Sequence, residues 1–129
     1  MTYVIDTHAL FWRLTNSRKL SRRVKAILDE AESEAATVFI PVIVLAELQF
    51  IYERDNLFSL AEALQQIDQF PGFQIVDMTR SHAERLHDLR KVPEMHDRAI
   101  VAAALELDAK VLTTDPAIEN SGLVKTVWL

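Results

Sequence analysis

The sequence contains no cysteine, which removes disulfide frameworks, thiolate metal sites and cysteine nucleophiles together and fits a reducing compartment. Only two glycines and four prolines occur among 129 residues. That is too little turn material for a β-sandwich or for long loops, so helices should dominate. No apolar run approaches the roughly 18 residues of a membrane span, and a first strand at Tyr3 begins too early to follow a cleaved signal peptide. Repeats, linkers and low-complexity segments are also missing. The expectation is a cytoplasmic protein with no membrane partner, folded as one domain over residues 1–129. Half of the chain is apolar, enough for a core without covalent staples.

An excess of positive charge is missing too. The formal net charge is −5, which on its face argues against a nucleic-acid partner. The distribution says more than the sum. From Thr7 to Leu28 there is no acidic residue, while Arg13, Arg18, Lys19, Arg22, Arg23 and Lys25 are all basic. Arg18, Arg22 and Lys25 fall on one side of a predicted helix. That helix side is either a solvated face or a contact for a phosphate backbone.

What is present reads as strands alternating with helices. Tyr3, Val4 and Ile5 form a short apolar strand that delivers Asp6 to its end. Lys110 to Thr113 repeats that grammar and runs into Asp115. Between them, 37–40 reads as a buried strand and 73–76 as a third short strand, and 126–128 as a fifth. Helices are expected over 8–14, around Leu20 to Ala31, from Pro41 to about Arg54, after a capping box at Ser59 to Glu62, after a second at Ser81 to Glu84, and from Met95 onward. Residues 99–105 are apolar on nearly every side, which predicts a buried central helix. No hairpin signal occurs, so the fold class is α/β, a parallel sheet covered by helices.

Four acids stand out: Asp6, Glu47, Asp97 and Asp115. In a parallel sheet the ends of the first and fourth strands share one rim, where open α/β sheets place their ligands. Glu47 is the only carboxylate from Thr37 to Tyr52, with Ile43, Phe50 and Ile51 as helical neighbours. The expectation is a carboxylate unable to reach a polar face, which needs a cation, either Arg98 or a metal. Singly, Asp6, Asp97 and Asp115 could be helix N-caps. Together, unneutralised carboxylates repel, and the usual resolution is a hard divalent cation. With oxygen ligands and no cysteine, that ion is Mg²⁺ or Mn²⁺ rather than zinc.

The stretch V-I-D-T-H-A-L-F-W from Val4 to Trp12 resembles the opening of PIN-domain proteins of the VapC toxin type. Glu47 in L-A-E-L, Asp97 in H-D-R-A-I-V-A-A-A and Asp115 in T-T-D match that family's further acidic positions, and the likeness covers essentially the whole chain. The resemblance implies a PIN-like three-layer fold whose five-stranded parallel sheet runs in the order 3-2-1-4-5. It also implies a Mg²⁺- or Mn²⁺-dependent endoribonuclease, a homodimer, and a cognate antitoxin that masks the site. Asp6, Glu47, Asp97 and Asp115 take the metal-binding and catalytic roles by this match, and Thr113 that of a supporting hydroxyl. Arg13, Arg18, Arg22 and Lys25 become candidates for contact with RNA.

His96 stands where many relatives are apolar; it reads as a half-exposed histidine near a helix start, with substrate contact as the alternative. Asp77 reads as a cap and Asp108 as a solvated acid at a helix end. Two rivals remain. A non-catalytic PIN-like module that binds RNA or protein would not need the complete acidic set. An aspartate-dependent phosphatase or phospho-acceptor domain would need a second acid beside Asp6 or a well-placed lysine, and Thr7 and His8 supply neither.

Overall fold

The structure is a computed structural model that describes residues 1–56 and 59–129. Five strands, β1 (Thr2–Ile5), β2 (Thr37–Pro41), β3 (Phe73–Val76), β4 (Lys110–Leu112) and β5 (Thr126–Val127), form one sheet in the order β3-β2-β1-β4-β5. All four pairings are parallel. The chain leaves β1 toward β2 on one side and reaches β4 on the other, so the carboxyl ends of β1 and β4 flank the point where strand order reverses. There Asp6 N–H donates to Leu112 O at 3.2 Å.

Among the described residues seven α-helices cover the sheet: α1 (Thr7–Leu14), α2 (Arg22–Glu32), α3 (Val42–Asp55), α4 (Leu60–Asp68), α5 (Arg80–Arg85), α6 (Met95–Leu107) and α7 (Pro116–Glu119). The expected central helix is α6, in which every residue from Ala99 to Ala104 is buried. Its small side chains let it lie close on the sheet, where burying Ile100 alone is worth roughly 1.5–3 kcal/mol. Tyr3, Val4, Ile5, Val38, Ile40, Phe73, Val111, Leu112 and Val127 form the sheet's share of the core among the described residues. Asp108 terminates α6 in the left-handed region at φ 50° and is exposed, as a helix-end acid should be.

Gly72 is needed for close approach. Its N–H donates to Ala31 O at 2.7 Å and its carbonyl accepts from Val38 N–H at 2.8 Å. A Cβ there would lie 2.3 Å from Ala36 O and 2.5 Å from Ala31 O.

Two capping expectations are corrected. The helix placed after Ser81 is capped earlier, by Thr79, in a box completed by the His82 ring. Ser81 instead donates its hydroxyl to Glu106, a long-range partner that local sequence does not show. Asp77 precedes that cap, is exposed and caps no described helix. At α4, by contrast, Ser59 Oγ accepts from Glu62 N–H at 3.2 Å as the sequence suggests.

Candidate functional site

Asp6 leaves β1 and becomes the N-cap of α1. Its Oδ1 accepts from Ala9 N–H at 2.9 Å, and its Oδ2 accepts the hydroxyl of Thr113 from the neighbouring strand end. Only 7% of Asp6 is exposed. Burial pushes its carboxyl above the ordinary range. The Thr113 and Ala9 hydrogen bonds and His8 pull the other way, and the charge of Asp115 pushes with burial. Asp115 likewise caps α7, its Oδ1 accepting from Ala117 N–H at 2.8 Å. Its own N–H donates to Thr113 Oγ1 at 2.9 Å. Capping and site formation therefore coincide in two of the acids.

Asp97 departs from that pattern. It lies in the first turn of α6, whose N-cap is Glu94, so capping does not account for it. Its carboxyl is pushed up to about 7, first by burial, then by the charge of Asp115 and a hydrogen bond shared with it, and then by Glu94 and Glu47. Burial is the larger cause, and Asp115, Glu94 and Glu47 add like charge around the same carboxyl.

Glu47 accepts the Thr7 hydroxyl at 2.5 Å, so the residue that follows Asp6 ties α3 to the same rim. The alternative partner, Arg98, is turned away, its Nε donating to Val92 O at 2.5 Å. His96 Nδ1 stands 3.7 Å from Glu47 Oε2 and 3.8 Å from Glu94 Oε2. Its side chain is 35% exposed, a half-exposed histidine at a helix start. The expectation that apolar neighbours enclose Glu47 is corrected. Its side chain is 26% exposed, and Phe50 is 71% exposed. Periodicity identifies an apolar residue but cannot say that it faces out. The role of Thr7 was not anticipated; a hydroxyl at the first helical position beside a capping aspartate was the available signal.

The basic segment divides. Arg13 is 12% exposed at its side chain, with Nη1 2.7 Å from Asp29 and Nη2 2.6 Å from Glu32. Its guanidinium also lies 5.5 Å from the Phe70 ring centre. Arg13 thus joins α1 to α2, which removes it from the free cations. Lys25 shares Asp29 at 3.4 Å. Arg18 and Arg22 are exposed and form no ion pair among the described residues.

Among the described residues no three His, Asp or Glu side chains close into a ready-made metal cage. The donor chemistry nevertheless suits a hard cation. Asp6, Glu47, Asp97 and Asp115 offer oxygens only, Asp97 feels two of the others as like charges, and among the described residues no arginine forms an ion pair with them.

No curated protein matches the chain. Solved structures do. VapBC2 from Rickettsia felis, bound to a DNA fragment from its promoter, has a TM-score of 0.73 at 19% identity, covering 100% of both chains. FitAcB from Neisseria gonorrhoeae has a TM-score of 0.71 at 23% identity, covering 96% of this chain and 95% of that one. A toxin-antitoxin complex from Klebsiella pneumoniae has a TM-score of 0.69 at 19% identity, covering 97% and 95%. At such identities these likenesses speak for the fold. The profile of the PIN domain matches residues 3–122, a span that runs from within β1 through β4 and includes all the rim acids, and the chain therefore belongs to the PIN domain family.

Proposed function

We propose that this protein is a metal-dependent endoribonuclease, the VapC-type toxin of a toxin-antitoxin pair. The observation that carries the reading is the convergence of acids at one rim: Thr113 joins Asp6 to the Asp115 N–H, Asp97 shares a hydrogen bond with Asp115 and feels the charges of Asp115 and Glu47, and Arg98 is engaged by Val92 O instead. A stable fold has no use for such repulsion, whereas a cation site does.

Asp6, Glu47, Asp97 and Asp115 would hold Mg²⁺ or Mn²⁺, which when bound neutralises the acids, activates water and offsets charge at the scissile phosphate. The chain supplies the positioning. Thr113 and Ala9 N–H fix both oxygens of Asp6, and Thr7 fixes Glu47. Glu47, whose second oxygen is not engaged by Thr7, orients the attacking water. Water oxygen bonds to phosphorus and gives up a proton, the bond to the 3′-oxygen breaks and that oxygen takes up a proton, and a 5′-phosphate remains, a polarity implied by the resemblance to PIN-domain proteins. Exposed Arg18 and Arg22 attract the RNA backbone.

The VapBC, FitAcB and Klebsiella toxin-antitoxin structures support a protein antitoxin as partner, and a homodimer is part of the same reading. No described helix is long and apolar enough to cross a membrane. The test is incubation with labelled RNA with and without Mn²⁺. Cleavage that requires the ion and is lost in Asp97→Asn supports the nuclease. RNA binding without cleavage by the ion-loaded protein supports the non-catalytic module, and hydrolysis of phosphomonoesters alone supports the phosphatase.

A further inference from the structure

Helix α1 carries more than a metal-ligand candidate at its N-cap. His8 and Trp12 lie four residues apart on one helix face, with ring centres 5.8 Å apart and planes tilted by 49°. They line a cleft of about 360 Å³ whose other walls are Asp6, Thr114, Asp115 and Pro116. Acids and flat rings therefore border the same space.

The Trp12 indole is held from outside that cleft. Trp128 meets it edge-on, with centres 5.7 Å apart and planes at 63°, and Lys19 Nζ stands 5.9 Å from its ring centre. Trp128 is in turn tied down, its carbonyl accepting the hydroxyl of Ser21, the N-cap of α2. Trp128 packs on the hydrophobic core, whereas Trp12 is half-buried beside it and lines the cleft.

We infer that Trp12 is a stacking platform for a base of single-stranded RNA, placed so that the adjoining phosphate lies beside Asp6 and Asp115. The inference rests on the ribonuclease reading of the rim and adds a binding residue. An indole accepts the π-face of any base, and a ring already fixed by Trp128 and Lys19 loses little freedom on binding. The platform selects unpaired nucleotides, because a base within a duplex has no free face to offer.

Two variants isolate the two reporters, since the chain has two tryptophans. Trp128→Phe leaves Trp12 as the emitter and Trp12→Phe leaves Trp128. Both are studied in an Asp97→Asn background, which keeps RNA intact, at a Mn²⁺ concentration high enough to saturate that weakened site. A single-stranded oligoribonucleotide should quench Trp12 emission in Trp128→Phe, and an abasic oligomer of the same length should not. Trp12→Phe should show little quenching, and Trp12→Ala in the otherwise unaltered protein should raise KM for RNA by roughly tenfold with a smaller change in kcat. Equal quenching by the abasic oligomer, or quenching by a basic peptide and not by RNA, overturns the inference. Cleavage with no quenching and an unchanged KM in Trp12→Ala overturns the platform and leaves the nuclease standing. Base-dependent quenching without cleavage by the unaltered protein supports the platform and overturns the nuclease.

Discussion

Thr113 spans 107 positions of sequence to donate its hydroxyl to Asp6, and the same oxygen accepts the N–H of Asp115 at 2.9 Å. One side chain thereby joins the ends of β1 and β4 and orients two of the acids. Thr113→Val removes the hydroxyl at nearly constant shape, leaving Asp6 Oδ2 and the Asp115 N–H without this partner. Urea unfolding should show a loss of about 1–3 kcal/mol, with reduced Mn²⁺ affinity. Thr113→Ser should retain most of both. Wild-type behaviour in Thr113→Val would mean that this hydroxyl positions nothing.

Asp97 should make stability depend on pH in a definite direction. Its native carboxyl is near 7, whereas an unfolded aspartate titrates near ~3.9. Between those values the native state binds more protons than the unfolded one, so the contribution of Asp97 to stability falls as pH rises from about 4 to 7 and is level above. The metal-free Asp97→Asn protein lacks this loss. Its advantage over wild type should be absent near pH 4 and largest above pH 7, as read by denaturant melts across that range. A variant less stable than wild type at pH 8 would assign Asp97 a structural role.

The basic segment yields opposite expectations for neighbouring residues. Arg13→Gln breaks contacts to Asp29 and Glu32. It should cost about 1 kcal/mol, since both acids are half exposed, while leaving RNA affinity nearly unchanged. Arg18→Gln and Arg22→Gln should leave stability within about 0.5 kcal/mol. Each should weaken RNA binding and lower the salt slope by roughly one. Binding measured at several salt concentrations distinguishes the groups, and an Arg13 effect as large as that of Arg22 would overturn the division.

Gly72→Ala tests the fold apart from the site. The new Cβ would meet backbone oxygens of Ala31 and Ala36, which no side-chain rotation relieves. Destabilisation of about 1–3 kcal/mol is expected, with Mn²⁺ affinity of the folded protein unchanged. A neutral melt would show that the loop before β3 yields easily.

The elements and the rim were largely legible in the sequence because their signals are local. β3 spans Phe73–Val76, as its β-favouring run suggests, and α6 is buried through the apolar stretch that marks it. Strand order followed from resemblance alone, since no local pattern distinguishes which parallel strands are neighbours. What remained hidden depends on partners distant in sequence. Arg13 looked like a free cation until α2 brought Asp29 and Glu32 against it. Ser81 looked like a cap until α6 offered Glu106. Phe50 looked buried because α3 is apolar at positions that in fact face outward.

Carboxylates at the ends of β1 and β4 and on α3 and α6 are proposed to hold a hard cation. Calorimetric titration of Mn²⁺ into the metal-free protein tests this most directly. Saturable binding is predicted, strongly weakened in Asp6→Asn and Asp97→Asn, with a rise in unfolding free energy of about 2.7 kcal/mol at 100-fold excess over Kd. An absence of saturable binding at millimolar Mn²⁺, or equal binding by Asp97→Asn, would contradict the account.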